Sequence, residues 1–148
     1  MTARVDRDAR TAAVAKFFET LSHASLAGLD RVYADDARFK DPFNDVQGIP
    51  AIRAVFEHMF ATLIDPRFIV LEAVTEGDQA FLTWDFSFRR EPGDAPMRIH
   101  GTTHLRFAAD GRVSLHRDYW DAAQELYAKL PVLGALMRWL QKRLAAPA

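Results

Sequence analysis

The chain has 148 residues, of which 49% are hydrophobic and 26% charged, and this composition predicts one globular domain with a substantial core. Its 19 basic and 20 acidic residues give a net charge of -1, which argues against a nucleic acid as partner. Without cysteine, disulfides and thiolate chemistry are excluded. The charged segment Met1 to Arg10 lacks the apolar stretch of a secretory signal, so we expect a cytoplasmic protein.

The first half of the chain has helical periodicity. Apolar residues at three- and four-residue spacing predict helices at about residues 9–22, 26–33 and 50–63. The segment Ala34 to Asp36 breaks this pattern. The segment Arg38 to Phe43 is interpreted as short and extended, because the residue before Pro42 avoids helical dihedral angles. Asp41 is therefore expected at the end of a strand, although a turn residue before a proline is an equally ordinary structural role.

The second half changes to a period of two. Four strands are predicted, at residues 67–75, 79–89, 97–107 and 112–121. In the second of them Leu82, Trp84, Phe86 and Phe88 share one face. Helices followed by a meander of long strands predict an α+β fold, in which N-terminal helices pack on a curved, mostly antiparallel sheet.

The C-terminal segment, residues 122–148, is predicted to be a helical extension of a single domain that covers residues 1–148. Asp121 is a predicted helix cap, and a last helix from about residue 132 to 144 mixes leucines with Arg138, Lys142 and Arg143. Two interpretations of this helix remain open. It packs on the domain or on a subunit partner, or it makes a weak contact with a lipid membrane.

Three chemically distinct side chains share one face of the last strand. His116, Asp118 and Trp120 alternate there, because strand side chains repeat every two residues. They predict a site, although a half-buried edge strand with satisfied polar groups accounts for them equally well. Because same-face neighbours on a strand lie roughly 7 Å apart, a direct bond between His116 and Asp118 requires favourable rotamers.

No metal or cofactor is expected from the motifs. His100 and His104 share a strand face, but four strand residues separate them by about 13 Å, too far to chelate one ion. The sequence also lacks a helical metal-binding pair, a phosphate-binding glycine loop and a dinucleotide fingerprint.

The order of the elements and two segments of the sequence resemble the nuclear transport factor 2-like superfamily. The segments are Tyr33-Ala-Asp-Asp-Ala-Arg-Phe-Lys-Asp-Pro42 and Asp110-Gly-Arg-Val-Ser-Leu-His-Arg-Asp-Tyr-Trp-Asp121. The resemblance covers roughly residues 9–125. This group includes ketosteroid isomerases, limonene epoxide hydrolases and SnoaL-like polyketide cyclases. It implies a cone-like fold with a deep apolar pocket, and a homodimer formed through the outer face of the sheet.

The ketosteroid isomerase pattern is only partly present. Its general base aligns with Asp41, whereas its oxyanion-hole tyrosine and aspartate align with Phe17 and Thr103. Phenylalanine has no hydrogen-bond donor for a dienolate oxygen, so authentic steroid isomerisation is not expected.

The epoxide hydrolase pattern is also incomplete. Its water-activating aspartate aligns with Asp118, but its other catalytic positions are occupied by Phe39, Asp41, Trp84 and Phe86. The polyketide cyclases are the nearest mechanistic precedent, because they resemble this chain in relying on one acid/base group in a pocket.

The sequence therefore predicts a SnoaL-like pocket protein that performs cofactor-free acid/base chemistry, of isomerase, cyclase or hydrolase type, on a small apolar carbonyl-containing or polycyclic molecule. Asp41 and Asp118 are the predicted proton-transfer residues, assisted by His116. If two carboxylates share an apolar pocket, one pKa should rise toward neutrality. The alternative is a non-catalytic module of the same fold that binds a small molecule or lipid. The predicted pocket wall comprises Phe17, Phe39, Trp84, Phe86, Thr103 and Trp120.

Overall fold

The computed structural model describes residues 8–147. Its helices are α1 (Ala9–Glu19), α2 (Leu29–Val32), α3 (Ile49–Thr62), α4 (Ala122–Glu125) and α5 (Pro131–Leu144), with short 3₁₀ turns at Ala24–Gly28 and Tyr127–Lys129. Its strands are β1 (Tyr33–Lys40), β2 (Asp45–Gln47), β3 (Ile64–Glu76), β4 (Gln79–Arg89), β5 (Met97–Phe107) and β6 (Val113–Tyr119). The predicted α+β fold is confirmed.

The strands form one six-stranded sheet in the order β2-β1-β6-β5-β4-β3. The neighbours run antiparallel except β1 and β6, which pair in parallel and place Phe39 opposite His116. This one parallel pair joins the N-terminal half of the chain to the strand that carries the predicted site.

The first helix is capped at its N-terminus and packs on the core through its inner face. The Asp8 carboxylate accepts hydrogen bonds from the backbone N–H groups of Arg10 and Thr11, which caps α1. Val14 and Phe18, four residues apart, are buried in the core. The Thr11 hydroxyl lies 2.7 Å from that of Thr75 on β3, so α1 is held against the sheet.

Strand β4 follows the predicted alternation, and one glycine makes room for its largest side chain. Leu82, Trp84 and Phe88 are all buried on the inner face. A Cβ atom at Gly101, which pairs with Trp84 from β5, would lie 2.5 Å from the indole ring. The absence of a side chain at Gly101 therefore allows Trp84 to lie across β5.

The prediction was wrong mainly around β1. The predicted second helix ends at Val32, and the predicted break at Ala34 to Asp36 is part of β1. The pairing of β1 with β6 shifts register between Tyr33 and Arg38, which spoils the regular alternation by which a strand is recognised. The three-residue strand β2 was missed, and the helix that Asp121 caps has only four residues, Ala122–Glu125, before a 3₁₀ turn.

The outer face of the sheet carries four large apolar side chains that are exposed: Ile69, Val74, Phe81 and Tyr119. The expected homodimer through this face stays a prediction.

Candidate active site

A cavity of about 370 Å³ lies between α3 and the inner faces of β4, β5 and β6. Its wall is mainly aromatic and aliphatic, with contributions from Phe56, Met59, Phe68 and Ile99. The volume falls in the range of pockets that hold small organic molecules. The cavity's polar lining residues include His116 and Thr103, which are both buried.

His116 and Asp118 are joined directly at the wall of this cavity. The distance between His116 Nε2 and Asp118 Oδ1 is 2.8 Å. The histidine is 3% exposed, and the aspartate side chain is 14% exposed. The rotamers therefore permit the direct bond, and Asp118 is the member of the pair that a ligand can reach.

A second hydrogen-bond path reaches the same carboxylate from β4 and β5. Trp84 Nε1 donates to Thr103 Oγ1 at 2.7 Å, and Thr103 Oγ1 donates to Asp118 Oδ1 at 2.5 Å. An indole N–H can only donate, so the threonine hydroxyl must use its own proton toward Asp118. This path holds Asp118 as a hydrogen-bond acceptor.

The other side of His116 is bonded to Tyr33. The Tyr33 hydroxyl lies 2.8 Å from His116 Nδ1, and Tyr33 is completely buried. Burial, together with the negative charge of Asp118, raises the pKa of the Tyr33 phenol well above its ordinary value. We infer that the phenol keeps its proton and donates to Nδ1, so that Nε2 carries the proton that His116 donates to Asp118.

These contacts give His116 and Asp118 different roles. Both ring nitrogens of His116 are occupied, so the histidine orients its neighbour rather than reaching a ligand. All hydrogen bonds to the Asp118 side chain within residues 8–147 end on Oδ1, which leaves Oδ2 for a ligand.

Asp41 lines the same cavity, but its carboxylate is used in a turn. Its Oδ1 accepts from the backbone N–H groups of Phe43 and Asn44, at 2.8 and 2.7 Å. The side-chain amide of Asn44 donates to both carboxylate oxygens at 3.0 Å. The turn role considered for this residue is therefore present, and proton transfer by Asp41 stays a prediction.

The predicted pocket wall requires one correction. Phe39, Trp84, Phe86, Thr103 and Trp120 line the cavity, whereas Phe17 lines a separate surface depression beside α2. Since α1 turns Val14 and Phe18 toward the core, the adjacent Phe17 lies about 100° around the helix and misses the cavity. Phe18 occupies the wall position instead.

Sequence reasoning missed several contributors to the site, of which Phe68 and Tyr33 illustrate two different causes. Phe68 on β3 stacks on Phe86, with ring centroids 4.3 Å apart, and alternation along β3 contains the signal that could have identified it. Tyr33 was assigned to a helix, and no local pattern connects it to His116, 83 residues away. Only the parallel pairing of β1 with β6 brings these two together.

The remaining histidines of the sheet have other neighbours. His100 Nδ1 lies 2.9 Å from Asp85 Oδ1, and His104 Nε2 lies 3.2 Å from Gln79 Oε1. In the described part of the chain, no three histidine or carboxylate side chains converge as a metal site requires.

Comparison with known proteins places this geometry in a family. The chain is 27% identical over 111 residues to a steroid Δ-isomerase from Nocardioides simplex, a match that covers 74% of this chain and 87% of the relative. A protein with a ketosteroid isomerase-like fold from Catenulispora acidiphila, solved in complex with trimethylamine, superposes with a TM-score of 0.69 at 16% identity, covering 88% of this chain and 96% of that one.

A further solved structure, of a protein assigned as a SnoaL-like polyketide cyclase from Shewanella putrefaciens, superposes with a TM-score of 0.68 at 17% identity and covers 82% of this chain and 84% of that one. The model of the SnoaL-like domain matches residues 14–116. The chain therefore belongs to the SnoaL-like domain family, with the cone-like fold of nuclear transport factor 2-like proteins.

Proposed function

We propose that this protein catalyses a cofactor-free proton transfer on a small, apolar molecule with an enolisable carbonyl group. The observation that carries the proposal is the Asp118 carboxylate, which is held on one oxygen by His116 and Thr103 and stands in the wall of an apolar cavity. A base that is fixed in position and largely removed from water suits proton abstraction next to a carbonyl.

In the proposed step, Asp118 Oδ2 takes a proton from the carbon beside the carbonyl group. The electron pair of that C–H bond forms a C–C double bond, and the carbonyl π electrons move to oxygen, which gives an enolate and a protonated Asp118. In a β,γ-unsaturated ketone the enolate is a dienolate, and return of the same proton to its γ-carbon, with re-formation of the carbonyl group, completes an isomerisation. Alternatively, the α-carbon of the enolate attacks a second carbonyl carbon of the same molecule, and protonated Asp118 returns its proton to the resulting alkoxide, which completes a cyclisation. No oxidant, reductant or other co-reactant is required.

The surrounding residues orient the base. Thr103, which Trp84 holds, and His116, which Tyr33 holds, both bind Oδ1 of the carboxylate and so fix its orientation. Because every member is buried or nearly buried, the arrangement is set before a ligand arrives. Trp120, whose indole N–H has no hydrogen-bond partner within residues 8–147, is the candidate donor to the developing oxyanion.

The second candidate function is non-catalytic binding of a small apolar molecule or lipid. The Asp41–Asn44 turn favours it, since this turn occupies the carboxylate that a two-carboxylate mechanism would use. The donors of Tyr33 and Thr103 are also directed at protein groups rather than at the cavity.

Hydrogen–deuterium exchange at carbon distinguishes the two functions, and it does not require the product to be identified. A panel of apolar enolisable ketones, including polycyclic ones, is incubated with protein in D₂O, and loss of the α-proton is followed by NMR. We expect the native protein to accelerate exchange of at least one compound. Asp118→Asn should slow it on the order of 10²–10⁴-fold, the usual contribution of a positioned base.

The matched control is Asp36→Asn, which removes one carboxylate charge from an exposed position on β1. It should exchange the same compound at the native rate. If ketones bind in the cavity but neither the native protein nor any variant accelerates exchange, the binding function replaces the catalytic one.

A further inference from the structure

The last helix presents a row of large apolar side chains to solvent. Val132 is 85% exposed, Leu136 51%, Trp139 53% and Leu144 83%, and Leu140 is exposed as well. With about 100° between successive residues, these five lie along one side of α5. We call this set the α5 strip. Exposed apolar surface that is contiguous in this way marks an interaction site.

The α5 strip adjoins the side that holds the helix to the rest of the protein. Gly134 is buried, and Leu133 and Met137 are half-buried. The exposed residues lie beside this buried stripe. Packing on the chain's own domain is therefore already accounted for and leaves the α5 strip uncovered.

The charge of α5 has one sign. The helix contains Arg138, Lys142 and Arg143 and no acidic residue. Arg143 stands over the Trp139 ring, with its guanidinium carbon 5.2 Å from the ring centroid, so one cation and one aromatic ring share the exposed side. This combination of cations, tryptophan and aliphatic residues suits an anionic surface with an apolar layer beneath it.

Two other arrangements of α5 fit less well: packing against a second copy of the chain, and a position across a bilayer. A two-fold contact between α5 helices of two copies would set identical surfaces against each other and bring the Arg143 guanidinium groups of the two copies together. A transmembrane position is also excluded by length, because 14 residues span roughly 21 Å of the about 30 Å hydrocarbon layer. Within residues 8–147, every helix is too short or too polar to cross a bilayer.

We propose that α5 binds the surface of an anionic phospholipid bilayer, lying in the plane of the interface with the α5 strip inserted between the headgroups. The segment that leads into α5 also contributes Leu126 to the wall of the cavity. Docking therefore brings the cavity close to a phase in which apolar molecules dissolve. The proposal is independent of whether the cavity is catalytic.

Flotation of the full-length protein with vesicles tests this. We expect the native protein to float with vesicles of phosphatidylcholine and phosphatidylglycerol, and to stay at the bottom with phosphatidylcholine alone. Since each basic residue contributes about 1 kcal/mol at an anionic surface, Lys142→Gln/Arg143→Gln should weaken partition about 30-fold. Leu136→Asp should abolish it, because a charge then enters the apolar layer.

The matched control is Lys16→Gln/Arg31→Gln, which makes the same change of net charge at two exposed positions on the N-terminal helices. It should float like the native protein. Equal flotation of all variants, or no flotation with either vesicle, would overturn the proposal. Concentration-dependent dimers in analytical ultracentrifugation that Leu136→Asp dissolves, together with absent flotation, would identify a second copy as the occupant.

Discussion

Two carboxylates line the same cavity, yet their hydrogen bonds make them different groups. Asp118 is held through Oδ1 alone by two side chains from the sheet, and its other oxygen has no bond within residues 8–147. Asp41 accepts four hydrogen bonds from its own turn, distributed over both oxygens. Lining a cavity is therefore not sufficient for chemistry, because a group must also keep an atom available for the ligand.

The largest expected effect separates these two carboxylates directly. In the exchange assay, Asp118→Asn should reduce the rate on the order of 10²–10⁴-fold, whereas Asp41→Asn should change it less than about tenfold, because the amide oxygen can still accept the three turn bonds that end on Oδ1. An equally large loss in both variants would restore the two-carboxylate mechanism predicted from the sequence.

Trp84, which holds Asp118 through Thr103, should be displaced by a side chain added at Gly101. Gly101→Ala places a Cβ 2.5 Å from the Trp84 ring and should lower the free energy of unfolding by about 1–3 kcal/mol, as measured by urea denaturation. Gly28→Ala is the matched control, because nothing lies within 4 Å of a Cβ there. Equal stability of the two variants would show that Trp84 moves aside without loss.

The Tyr33 hydroxyl should stabilise the fold through its hydrogen bond to His116 rather than by filling space in the core. Tyr33→Phe leaves His116 Nδ1 buried without its donor, which should cost about 1–2 kcal/mol of stability. The ¹⁵N chemical shifts of His116 should show Nε2 protonated in the native protein and a changed tautomer population in the variant. Tyr119→Phe, at a half-exposed position, should leave both measurements unchanged.

The same tyrosine predicts a loss of stability at alkaline pH. The pKa of Tyr33 is raised above the ordinary 10.0, chiefly by burial, so the folded state holds this proton after the unfolded chain has lost it. Stability from this source is full below pH 10 and falls as the pH rises further. Denaturation curves of the native protein should show a steeper alkaline fall than those of Tyr33→Phe, and parallel falls would contradict the assignment.

The smallest effect is expected at the Asp41 turn. Asn44→Ala removes only the two side-chain amide bonds, while the backbone N–H bonds to Asp41 remain. A loss below about 1 kcal/mol is expected, because the turn is partly exposed to water. If exchange activity rises in this variant, the released carboxylate of Asp41 takes part in the chemistry after all.

The sequence by itself determined the fold class, the long strands β4 and β5, the helix α3, and the shared strand face of His116 and Asp118, whereas Trp120 follows the end of β6. These features follow from periodicity, which is local: a period of two on strands and 3.6 on helices assigns each side chain to a face. The resemblance to the nuclear transport factor 2-like superfamily predicted the cavity and the candidate residues Asp41 and Asp118.

Only the tertiary structure decided which of these groups can act. The pairing of β1 with β6 joins Tyr33 to His116 across 83 residues, and the pairing of β5 with β4 and β6 connects Trp84 to Asp118 through Thr103. Hydrogen-bond partners far apart in the chain leave no periodic signal, because their meeting depends on strand order and register. The turn at Asp41 is different, because its partners lie only two and three residues away: the sequence offered this turn as one role for Asp41, and the structure shows that the turn forms while Asp41 also lines the cavity.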